Sequence, residues 1–307
     1  MGLMHLAARH AQLCLILGLV AGLTLPSVAE AMKDWLAWLV AMLLCLTAYR
    51  IGPAEALRGL SGIGRYLGFL IGLQIALPLL AVLVLLLVGG FGTPFGLALM
   101  LMLAAPSLTG TPNFAIMAGQ DPAPALRLLI LGTLVFPLTA LPVLALLPGV
   151  EDIGAALQAA GRLVLVILGA IGLGLFLRQV TAPQLSDSRR LALDGLGAIA
   201  LGVVVIGLMS AIGPMVLNDF PRFLAWLAAV MVVNFGLHIA TFLILRRAGL
   251  PEAPPIAIVA GNRNTALFLI ALHAELVEPV LVFIGCYQIP MYLTPMLMKA
   301  LHRRFPV

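Results

Sequence analysis

Pro106-Ser107-Leu108-Thr109-Gly110-Thr111-Pro112-Asn113 interrupts an apolar run that extends over residues 95–118. Two prolines and a glycine in so short a stretch cannot continue a regular helix, because proline lacks the N–H and its ring collides with the preceding turn. A second interruption, Gly261-Asn262-Arg263-Asn264-Thr265, falls in the apolar run 254–273. Three polar side chains and an arginine in consecutive positions cannot face lipid. Unwound backbone at membrane depth is tolerated only where protein or water satisfies it. Both segments therefore read as discontinuous helices lining a cavity.

The bilayer is the solvent this sequence is written for. The chain is 63% hydrophobic and 9% charged, where soluble domains carry about a quarter charged residues. Ten apolar runs approach the ~20 residues a spanning helix needs: 8–25, 35–49, 66–88, 95–118, 126–147, 159–177, 191–212, 223–245, 254–273 and 277–301. Arg9, the following apolar stretch and Ser27-Val28-Ala29 resemble a cleaved leader, but we read a retained first span, since removing it leaves an odd count. With the amino terminus inside, thirteen of the seventeen basic residues fall on inner segments. Lys33, Arg162 and Arg222 fall outside, and Arg263 lies within a span. That asymmetry fits the positive-inside rule with both termini cytoplasmic, in a bacterial inner membrane. No basic stripe interleaved with aromatics suggests nucleic acid. Cys14, Cys45 and Cys286 have no CxxC spacing and read as inert packing residues.

The two interruptions resemble each other. Gly110-Thr111-Pro112-Asn113-Phe114-Ala115-Ile116 matches Gly261-Asn262-Arg263-Asn264-Thr265-Ala266-Leu267 as Gly-x-x-Asn-x-Ala-aliphatic, at an offset of 151 residues. Leu138-Thr139-Ala140-Leu141-Pro142 is weakly echoed by Tyr292-Leu293-Thr294-Pro295. Five spans per half is an odd number, so the halves would have opposite topology. Paired interruptions in an inverted repeat point to a transporter's midplane site.

At this level the chain resembles the bile acid:sodium symporter family over nearly its whole length. Leu73-Gln74-Ile75-Ala76-Leu77-Pro78-Leu79-Leu80-Ala81 is similar to the family's third-span segment, and Ala105 to Asn113 with Ala118-Gly119-Gln120-Asp121 to its fourth-span crossover and the loop after it. Thr133 and Pro137 match fifth-span positions, and Ile256 to Asn264 resembles the ninth-span crossover. The resemblance implies an all-helical, ten-span fold with an inverted five-helix repeat and crossing helices four and nine. It implies a panel part near 1–60 and 156–215, a core part near 61–155 and 216–307, and transport of a small organic anion, generally with sodium.

The departures bear on the ion. The family's crossover glutamate aligns with Val259 and its glutamine with Arg263, both usual sodium ligands; Leu129 stands at a fifth-span hydroxyl position, and Pro112 replaces a serine. Valine offers no oxygen, and arginine does not give up its proton. Sodium is therefore not expected, and no other cofactor is.

The candidate substrate and ion residues are Gln74, Thr111, Asn113, Thr133, Asn262, Arg263, Asn264 and Thr265. Arg263 reads as a tethered cation in the vacated sodium space, a ligand for the anion, or a clamp on the unwound carbonyls of span four. Gln74 reads as a site contact or an interhelical bond, and Asn234 with His238 as packing on span eight, with proton handling as the alternative. His273, Glu275 and Glu278 read as interfacial groups. No HExxH, paired Asp or GxSxG lies within a span, so an enzyme is not expected. The alternative to a carrier is a non-transporting receptor or sensor on the same scaffold.

Overall fold

The computed structural model describes residues 2–60, 62–147, 150, 152–272 and 274–305. His273 and the Glu275 side chain, assigned above to the interface, lie outside the described residues.

Regular structure among the described residues is helical. The helices are α1 (Gly2–Arg9), α2 (Ala11–Thr24), α3 (Pro26–Lys33), α4 (Leu36–Ile51), α5 (Pro53–Gly59), α6 (Ile63–Ile71), α7 (Leu77–Leu87), α8 (Pro94–Ala104), α9 (Thr111–Met117), α10 (Ala123–Leu144), α11 (Ile153–Thr181), α12 (Asp187–Leu208), α13 (Ile212–Asn218), α14 (Phe220–Arg247), α15 (Ala253–Gly261) and α16 (Ala274–Arg304). A π turn, Gly72–Ala76, joins α6 to α7, and a 3-10 segment, Thr265–Ile270, follows α15.

Among the described residues six helices are long and apolar enough to cross a membrane, or eight if each bent pair counts as one span. The bent pairs are α1 with α2, meeting at 87°, and α3 with α4, at 76°. The two runs left over from the ten read in the sequence are the interrupted ones. At 1.5 Å per residue, neither α8 with 11 residues nor α15 with 9 crosses a bilayer core alone.

Two seams bring α1, α2, α4, α11 and α12 together. A Cβ on Gly18 would lie 2.3 Å from the Gly202 carbonyl oxygen, and one on Gly174 would lie 2.3 Å from that of Cys45. Backbones this close admit no side chain, the small-residue packing by which helices associate where lipid removes the hydrophobic drive. A second group forms where α14 packs on α15 and α16, and α10 touches α6, α9 and α15. Ion pairs tie the ends: Arg50 Nε to Asp194 at 2.8 Å, Arg65 to Glu252 at 2.7 Å, and Lys33 to Glu278 at 2.9 Å.

Candidate functional site

Ala105 precedes a proline, which disfavours the helical region, and it adopts φ −63°, ψ 150°. Asn262 is extended as well, at φ −123°, ψ 95°. The two extended stretches pair antiparallel at Ser107 and Arg263. Leu108 N donates to Asn262 O at 3.0 Å and Asn264 N to Pro106 O at 2.8 Å. Each break thus supplies donors and acceptors to the other, which is what unwound backbone in a bilayer requires. The repeated Gly-x-x-Asn motif predicts a crossing near Asn113 and Asn264. Asn264 is there, but Asn113 is displaced, because the helix resumes at Thr111 with Pro112 in the first turn, where a missing N–H costs nothing.

Arg263 holds the crossing from the side chain. It is 2% exposed, and each guanidinium nitrogen donates to a different carbonyl: Nε to Ala260 at 3.0 Å, Nη1 to Ala105 at 3.0 Å and Nη2 to Leu73 at 3.2 Å. Each acceptor lacks its helical donor for an identifiable reason. The donor four residues beyond Ala260 is Asn264 N, which bonds Pro106 instead. Ala105 opens the unwound stretch. In the π turn, Leu77 N bonds Gly72 O, and the next residue is Pro78, which has no N–H for Leu73. One planar fork of donors therefore caps three orphan carbonyls made by three interruptions. Ala105 and Ala260 also lie at the carboxyl ends of α8 and α15, where the helix dipole favours a cation. Among the described residues no carboxylate forms an ion pair with Arg263.

The rear of the break after α15 is held by α14 and α16. Gly261 O accepts from Asn234 Nδ2 and from the Tyr287 hydroxyl, and Arg263 N donates to that hydroxyl at 3.3 Å. Thr294 Oγ1 lies 3.2 Å from Asn234 Oδ1 and 3.3 Å from Asn262 Oδ1, while Asn262 Nδ2 donates to Ile258 O at 2.8 Å. Asn262 is fully buried in this network.

Among the described residues three cavities border the crossing. The largest, about 340 Å³, lies between α2, α4 and α12 on one side and residues 108–114 on the other, with Arg50, Glu55, Asp194 and Asn113 on its wall. The second, about 310 Å³ and almost wholly apolar, is enclosed by α4, α5, α10 and α11 and includes Thr133 and Leu129. The third, about 50 Å³, is bounded by Arg263, Asn264, Thr265, Tyr287 and Gln288. Thr265 Oγ1 is buried there with no partner among the described residues.

The structure thus gathers Arg263, Asn264 and Thr265, sends Asn113 and Thr133 to separate cavities, and turns three candidates inward. Gln74 lines none of these cavities; its Nε2 donates to Gly132 O at 3.4 Å and its Oε1 accepts from Thr139 at 3.0 Å, tying the π turn to α10. Thr111 bonds Ser107 Oγ at 2.6 Å and Leu108 O at 2.9 Å. Thr109, absent from the candidates, borders all three cavities. Its signal was its place between Pro106 and Gly110 inside the break. Asn234, read as packing, satisfies the broken backbone. Gln288 had no signal beyond being polar in an apolar run. Searches of the sequence against models of known protein families and against curated proteins found no match.

Proposed function

We propose that the chain is a secondary transporter of a small organic anion, of the bile acid:sodium symporter type, that works by alternating access without sodium. The observation that carries this reading is the antiparallel pairing at Ser107 and Arg263, between interruptions half a chain apart, with the Arg263 guanidinium on the carboxyl ends of α8 and α15. Broken helices meeting at mid-membrane are the hallmark of such transporters, and unwound carbonyls with half-helix carboxyl ends are where their coupling cation binds. Here the side chain brings that positive charge itself. Ten spans follow if each interrupted run, like each bent pair, is one span. The seams of α2 with α12 and α4 with α11 support a panel distinct from the core that carries both breaks. The cavity of about 340 Å³ between them is within the range of small-molecule sites. The distribution of basic residues favours cytoplasmic termini, and the excess of arginine over lysine favours a bacterial inner membrane.

A tethered cation cannot dissociate, and this favours one second reading, a non-transporting sensor locked in a single ion state. A thermal-shift screen of the purified protein against organic anions, followed by uptake of the hits into proteoliposomes, separates the two. The transporter reading expects saturable uptake that an unlabelled hit competes away. Binding without uptake would overturn it in favour of the sensor.

A further inference from the structure

His238 on α14 and His302 on α16 take no part in the crossing's hydrogen bonds, yet they meet directly behind it. Their Nε2 atoms lie 3.2 Å apart in hydrogen-bonding geometry, with ring centroids 5.3 Å apart. The residues are 0% and 4% exposed, and neither Nδ1 has a partner among the described residues. We propose that this pair is a proton-binding site that works the break after α15, and that the proton is the coupling ion of the transporter; the second part rests on the function proposed above.

A bond between two imidazole Nε2 atoms needs one of them protonated and the other bare. The donor ring then has a bare Nδ1. A proton added there makes an imidazolium that donates to a neutral imidazole, a charge-assisted bond shared across the pair. Nothing else is consumed or released: one proton enters, and the pair gains one positive charge. A histidine buried for packing alone ordinarily ties its second nitrogen to a carbonyl or carboxylate, and among the described residues neither Nδ1 has that tie.

The surroundings couple that charge to movement. Phe242 packs on the His302 ring at 5.0 Å, and Phe242, Ala253 and Ala257 form a buried apolar cluster joined by Leu301. The charged residues on these elements are Arg246 and Arg247 at the end of α14, Lys299, Arg303 and Arg304 on α16, and Glu252 just before α15, which Arg65 engages. A charge in such a setting is costly until water reaches it, so proton uptake and parting of α14 from α16 accompany one another. His302 stands in the last turn of α16, which gives the proton a path from one end of the bundle.

The same helices grip the break. A Cβ on Gly261 would lie 3.3 Å from the His238 Cβ and 2.8 Å from the Asn234 carbonyl oxygen. Asn234 sits one turn before His238 and Thr294 two turns before His302, and both belong to the network around Asn262. Separation of α14 from α16 therefore acts on the backbone that presents Arg263.

Histidine-selective nitrogen-15 NMR of the full chain in nanodiscs reads the proton without any substrate. His238→Gln and His302→Gln assign the two rings among the five histidines. The expected result is joint titration, with removal of either ring moving the other's midpoint by about one pH unit or more. Independent titration, or one fixed protonation state wherever the protein stays folded, overturns the site. Hydrogen exchange over residues 261–270, corrected for intrinsic rate, reads the coupling. It should change about tenfold across the midpoint in the wild type and not in His238→Gln or, should that variant not fold, in His302→Gln. An unchanged wild type overturns the coupling. Failure to find anion uptake would remove the transporter reading and leave both results standing.

Discussion

The Nη2 of Arg263 donates to the carbonyl of Leu73, 190 residues away in the chain, at 3.2 Å, and that carbonyl is free because Pro78 cannot donate to it. The dependence is testable by a cycle. Pro78→Ala restores an N–H near Leu73, so Arg263→Gln should cost less in that background than in the wild type. The difference should be about 1 kcal/mol, the net worth of one hydrogen bond, read from unfolding in a fixed detergent. An equal cost in both backgrounds contradicts the orphan-carbonyl account.

Thr109 borders all three cavities, so a large side chain there should fill space in each of them. Thr109→Trp is expected to lose at least about tenfold in anion affinity, ~1.4 kcal/mol, while the ligand-free melting temperature stays close to wild type. Unchanged binding would show that the anion does not occupy these cavities beside Thr109.

The α2–α12 seam should tolerate no side chain at Gly18, where a Cβ would lie 2.3 Å from a backbone oxygen. Gly18→Leu should abolish a monodisperse folded product, as expected when overpacking meets backbone rather than a flexible side chain. Gly172 on α11 is exposed and a Cβ there meets nothing within 4 Å, so Gly172→Leu should fold normally. Equal tolerance at both positions, scored by size-exclusion profile, contradicts the packing described.

Topology is open to reporter fusions. Insertions within residues 182–188, the loop after α11 and the first residues of α12, should report a cytoplasmic location, because Arg178, Arg189 and Arg190 flank that stretch. A periplasmic signal there would overturn the orientation.

Much of this was legible in the sequence because it rests on what residues cannot do. Pro106 and Pro112 cannot extend a helix, and Asn262 to Thr265 cannot face lipid, so both breaks were readable. Where they touch was not. The pairing at Ser107 rather than Asn113 depends on where the helix resumes, and a proline in a first turn marks a start as readily as an end. The bends of α1 on α2 and α3 on α4 were missed because hydropathy does not register direction. Arg263 stood out as a cation in a span, but its acceptors did not. The freedom of the Leu73 carbonyl follows from a π turn that no residue pattern announced, although Pro78 was in view. Gln74 illustrates the reverse error: a polar residue in an apolar span drew attention as a site contact, and its amide is spent on Gly132 and Thr139.

The central claim is that Arg263 supplies, permanently, the charge that a bound sodium ion would bring. A guanidinium already bonded to Leu73, Ala105 and Ala260 leaves a sodium ion neither the oxygens nor the electrostatic room, since like charges a few ångströms apart at low effective dielectric repel by several kcal/mol. The direct measurement is the affinity of the purified protein for an anion found in the thermal-shift screen, taken in sodium and in choline buffer at matched ionic strength. The account predicts the same affinity in both. Binding tighter in sodium by roughly tenfold or more, ~1.4 kcal/mol, would contradict it.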